Sequence, residues 1–199
     1  MRSVFNFLVE PKDGITTAKK DVGGNELLLN TELQNHQYTS RHGVVVGTPL
    51  AEESEVQVGD EIIVHHNVFR VFRDVRGIEK NSKSYINDNL YSVAPDQVFA
   101  FKRGDAGWQA IKGFCFVKPI ANKNSFSLHN EREAIGIIKY ASATNGLEVG
   151  ALVGFRPGSE YEFNIEEQRV YRVPVNLITI QYDYQGDEEE YNPSWAQGS

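Results

Sequence analysis

The sequence predicts an all-β chain made of two units of the same kind in tandem, and three observations lead there. Short runs rich in Val, Ile, Phe and Tyr recur between turn residues, as at 4–9, 44–46 and 61–64, which is how half-buried strands read. No segment sustains the apolar period of a helix. The order of motifs in the first half returns in the second.

The repeat decides the architecture, because fixed-order self-similarity marks a duplicated structural unit. Phe114-Cys115-Phe116-Val117-Lys118-Pro119 parallels Phe5-Asn6-Phe7-Leu8-Val9-Glu10-Pro11, and Ile135-Gly136-Ile137-Ile138 parallels His42-Gly43-Val44-Val45. Leu147–Val153 parallels Val56–Ile62, and Tyr171–Ile180 parallels Tyr91–Ala100. The units are therefore placed at 1–103 and 113–183, with residues 104–112, containing Gly104 and Gly107, as linker. After Tyr184 the chain turns acidic at Asp187-Glu188-Glu189-Glu190, and 184–199 is expected to be a disordered tail.

In chain order, 4–9 alternates as a strand and Pro11 is expected to end it. Residues 13–37 form a long loop, unusual in a compact domain unless it is functional or disordered. Its first half is a poor candidate for regular structure: Gly14, Gly23 and Gly24 make ordering costly, and Thr, Lys and Asp supply little to bury. Yet Leu27, Leu28 and Leu29 stand in a row just after the double glycine. They are either an apolar cluster that orders when it docks or a short buried strand. Val44–Val46 reads as a buried strand between glycines, and Thr48–Gln57 as a short acidic connection. Glu61–Val64 and Val68–Phe72 read as strands, Asp74–Lys83 as a polar loop, and Tyr85–Val93 and Gln97–Lys102 as strands around a Pro95-Asp96 turn. In the second copy the stretch from Ile120 to Ala134 has neither a double glycine nor an apolar triplet.

Composition narrows the function classes. The 199 residues are 40% hydrophobic with a formal net charge of −7 and a pI of about 5.3, which argues against nucleic acid as the main partner. One cysteine, Cys115, leaves no internal disulfide and no cysteine-based zinc cluster. Residues 1–12 lack the basic start and long apolar run of a signal peptide, and no stretch approaches the ~20 apolar residues that cross a bilayer.

Candidate chemistry is sparse. His65 and His66 are neighbours on a predicted strand and are expected to face opposite ways; His36, His42 and His129 have no ligand-like spacing. Cys115 has no histidine partner in view, Asp60 fits a turn role, and Trp108 is expected to pack the two units together. No catalytic, metal or cofactor residues are assigned.

The order of an N-terminal strand ending near a proline, a loop with Gly23-Gly24 before Leu27-Leu28-Leu29, Gly43-Val44-Val45, and Val58-Gly59-Asp60 before a strand resembles the GroES-type co-chaperonins, over roughly residues 4–102. The resemblance implies two tandem GroES-like, partly open β-barrels, the first with a mobile loop. It implies that Gly23, Gly24, Leu27, Leu28 and Leu29 bind the apical groove of a GroEL-type chaperonin, which itself binds the ATP. It further implies a homo-heptameric lid in the cytoplasm that helps enclose a folding client protein, and no enzyme activity. The enzymes that share this fold need a zinc-binding Cys/His set and a glycine fingerprint, and neither is in this sequence. The short Thr48–Gln57 connection departs from the family's longer roof hairpin and is similar to that of some phage-encoded relatives. The alternative is a ring-forming structural protein built on the same barrel.

Overall fold

The structure, a computed structural model, describes residues 3–12, 19–22, 25–28, 41–87, 89–123, 130–144, 146–184 and 186–196, with 19–22 and 25–28 as backbone. It is all-β: the described residues form strands and three single 3₁₀ turns, with no α-helix among them. The chain divides into two units, 1–108 and 109–199, so the division falls inside the stretch read as linker.

The first unit holds β1 (Phe7–Pro11), β2 (Lys19–Val22), β3 (Asn25–Leu28), β4 (His42–Gly47), β5 (Glu61–Val64), β6 (Val71–Arg73), β7 (Glu79–Asn81), β8 (Tyr85–Asn87), β9 (Leu90–Val93) and β10 (Val98–Lys102). After the short β11 (Gln109–Ala110), the second unit holds β12 (Phe114–Ala121), β13 (Glu131–Ala141), β14 (Leu152–Phe155), β15 (Tyr161–Ile165), β16 (Gln168–Pro174) and β17 (Ile178–Gln181).

The two units repeat one topology. In the first, six antiparallel strands lie in the order β10-β5-β4-β1-β9-β8; in the second the order is β17-β14-β13-β12-β16-β15. The registers agree residue by residue. Pro11 faces Gly43 and Pro119 faces Gly136; Val93 lies opposite Phe7 and Val173 opposite Cys115. A bulge falls between Leu8 and Val9 and again between Phe116 and Val117. The turn into the fifth strand is also duplicated. Val45 N–H donates to Asp60 O and Gly59 N–H to Val45 O (3.0 and 2.8 Å), as Ile138 N–H does to Ala151 O and Gly150 N–H to Ile138 O (2.9 and 2.8 Å). Gly59 and Gly150 have φ of 91° and 92°, a region that a Cβ disfavours. Neither sheet closes into a barrel.

The cores come from alternation on strands such as β4 and from continuous burial along β5, β10 and β14. Val9, Val45, Ile62, Ile63, Val64 and Val93 are fully buried in the first unit. Cys115, Val117, Ile138, Val153, Phe155 and Val173 pack together in the second. Burial pushes the Cys115 thiol up to about 12, so it behaves as a small apolar side chain.

Several boundaries differ from the sequence reading. The first strand begins at Phe7 rather than at residue 4, and it ends at Pro11 as expected, where the missing N–H falls at the last ladder position. Tyr85–Val93 is two strands, because the chain reverses at Asn89 with φ 68°. The Asp74–Lys83 loop contains β7, which pairs with β6; Asp74 Oδ1 accepts from Arg76 and Ile78 N–H (2.9 and 3.0 Å) to shape the turn between them. His65 and His66 follow β5 rather than lie on it, and their rings sit 4.2 Å apart instead of facing opposite ways.

The acidic stretch expected as a disordered tail is instead packed against the second unit. Pairing of β12 with β16 stops at Val117–Tyr171, which leaves the Lys118–Ala121 edge open. The tail takes that place: Ala121 N–H donates to Glu189 O (2.7 Å), Tyr191 N–H to Pro119 O (2.9 Å), and Ile120 bridges Glu190. Glu190 pairs with Lys118, and Glu188 with Arg132 and Lys123. Asn192 Oδ1 accepts from Arg169 N–H (3.1 Å), and Ala196 is buried. Free strand-edge amides and three cations supply what a solvated acidic run lacks.

Candidate functional site

The two units differ most in the connection from the first to the second sheet strand. In the second unit β12 leads to β13 through residues 122–130. In the first, residues 12–41 separate β1 from β4 and contain the β2–β3 hairpin, a two-stranded sheet of its own. Its register pairs Lys19 with Leu28, Lys20 with Leu27, Asp21 with Glu26 and Val22 with Asn25. The stretch read as lacking regular structure thus holds a ladder, with Leu27 and Leu28 on β3. Gly23, Gly24 and Leu29 lie outside the described residues, as does most of the 13–37 loop.

Where this arm leaves and rejoins the sheet, three polar side chains meet. Lys12 follows β1 and His42 opens β4, and Lys12 N–H donates to His42 O (3.0 Å). Glu61, the first residue of β5, reaches both: Lys12 Nζ is 2.7 Å from its Oε2 and His42 Nδ1 is 3.2 Å from its Oε1. A carboxylate only accepts, so His42 carries its proton on Nδ1. Burial pushes the Glu61 carboxyl up, but the bonds from Lys12 and His42 outweigh it and hold the group below the ordinary glutamate range. The Trp108 ring meets the His42 ring edge-on at 5.6 Å. The tryptophan expected to join the units thus has this contact within the first.

Beside this root, Asp60 is buried and anchors the preceding turn. Its carboxylate accepts from Gln57 N–H (2.8 Å) and, through both oxygens, from Arg103 (2.9 and 2.8 Å). Burial raises its pKa, yet the Arg103 and Gln57 bonds leave it lower than usual. The turn role suggested by sequence is therefore joined by a tie to the residue after β10.

Sequence reasoning found the arm but missed its root. The signal was in the repeat: the positions of Lys12, His42 and Glu61 are occupied in the second copy by Ile120, Ile135 and Leu152. Those three cluster with Ile137 and Tyr184 in a small apolar core. Among the described residues no group of three or more His, Cys, Asp or Glu is placed to hold a metal ion, and no helix is long and apolar enough to cross a membrane.

The chain matches no protein-family model and no curated protein. Its class rests on fold and sequence: an all-β chain with one sheet topology used twice and one arm.

Proposed function

We propose that this protein is a co-chaperonin, a ring-shaped lid that caps a GroEL-type chaperonin and helps enclose a folding client. In this reading each unit is a GroES-like, partly open β-barrel, seven chains form the ring, and the arm around Gly23, Gly24, Leu27, Leu28 and Leu29 is the docking element. The carrying observation is the asymmetry between two units of equal topology: one has a self-paired arm bearing leucines after a double glycine, and the other has a short connection. The lid has no active site, because the ATP chemistry belongs to the partner. Each arm binds weakly, since ordering offsets much of the leucine burial. Several identical arms on one ring bind far more tightly than one. The second unit acts as a structural extension.

The test is co-sedimentation with a GroEL-type chaperonin, with and without ATP, for the wild type and a Leu27→Ser/Leu28→Ser/Leu29→Ser variant. ATP-dependent co-sedimentation that the variant loses while remaining folded is the expected result. A wild type that assembles into rings but never co-sediments overturns this reading in favour of a structural ring protein. A variant that unfolds places the leucines in the core.

A further inference from the structure

We infer that Glu61 is the positioning residue of the arm, its two carboxylate oxygens holding the chain at the two points where residues 13–41 leave and rejoin the sheet. The inference deepens the co-chaperonin reading, and its first readout does not depend on that reading.

Three observations carry it. Glu61 belongs to neither end of the arm but to β5, the strand next to β4, so it ties both ends to the sheet rather than merely to each other. Each of its oxygens has one partner, Lys12 on the outgoing end and His42 on the returning end. In the second unit, whose connection spans only residues 122–130, all three positions become apolar together and pack under Tyr184 of the tail. A root closed by burial thus suffices for a short connection. The root of the arm is instead partly exposed, with Lys12, His42 and Glu61 side chains at 45%, 31% and 18%. There, burial alone cannot fix the chain ends, and directional, charge-assisted bonds do. Fixing a root shortens the tether's slack and lowers the ordering that docking must impose.

The test reads hydrogen exchange of the residue-12 amide, the donor to His42 O, in the free full-length protein. Glu61→Gln should accelerate it by about three- to tenfold, while the Val45 amide, bonded to Asp60 O, stays unchanged. Raising NaCl from about 0.05 to about 0.5 M should accelerate the wild type but not Glu61→Gln. A Lys12→Ile/His42→Ile/Glu61→Leu variant, carrying the second unit's residues, should recover protection and lose the salt response. Unchanged residue-12 exchange in Glu61→Gln, equal acceleration at Val45, or a triple variant no better protected than Glu61→Gln overturns the inference. Glu61→Gln should also weaken chaperonin co-sedimentation. If root exchange responds but the wild type never co-sediments, Glu61 still positions the arm and the co-chaperonin reading falls.

Discussion

A methyl group added at Gly136 should break the second unit, whereas one added at Gly154 should not. A Cβ at Gly136 would lie 2.6 Å from the Lys118 carbonyl oxygen and 3.2 and 3.3 Å from Val117 Cβ and Cγ2. These atoms belong to β12, which pairs with β13 along this stretch and with β16 as far as Val117, and Val117 is fully buried. A backbone carbonyl in a central strand cannot turn aside, so the strands must part. Overpacking costs about 1–3 kcal/mol, and a backbone clash belongs at the upper end, about 3 kcal/mol. For a unit of this size that is roughly 12–24 °C of melting temperature. At Gly154 the nearest atoms are the Tyr182 ring Cε2 and OH, both at 3.3 Å, on a side chain that is 36% exposed and free to swing. The equivalent position in the first unit carries Ile63, so the strand accepts a side chain there. Gly154→Ala should cost below about 0.5 kcal/mol. Thermal denaturation, with hydrogen exchange to assign the affected unit, measures both. Equal shifts for Gly136→Ala and Gly154→Ala would refute the steric argument. Gly43→Ala should reproduce the larger effect in the first unit, because its Cβ would meet Val9 Cγ1, the Phe69 ring and Glu10 O.

Two further outcomes follow from the charges. Asp60 titrates below its unfolded value, so the stability it contributes is complete above about pH 4 and fades as pH falls through the folded pKa. Asp60→Ala should flatten that acid limb in urea titrations of the first unit. The second unit, with Ala151 at the same place, should show no such limb from this position. Removing residues 186–199 should expose the Lys118–Ala121 edge and destabilise the second unit by about 1–3 kcal/mol, read as faster exchange at Ala121 with first-unit amides unchanged.

The strand class and the duplication were legible in the residues alone. Alternation of apolar residues and the turn chemistry at Gly59 and Gly150 are local, and aligned copies reinforce weak signals such as Pro11 with Pro119 and Gly43 with Gly136. The sequence also singled out the arm, because a connection long in one copy and short in the other shows as a difference in length. Tertiary structure decided what distant residues do for one another. Glu61 reads as an ordinary strand start until β5 lies beside β4 and sets its carboxylate between Lys12 and His42. The acidic run reads as a solvated tail until the open edge of β12 and the cations Lys118, Lys123 and Arg132 meet it. Local pattern reports how much a segment can bury or ladder by itself; whether a charge finds its partner depends on which strands the sheet brings together.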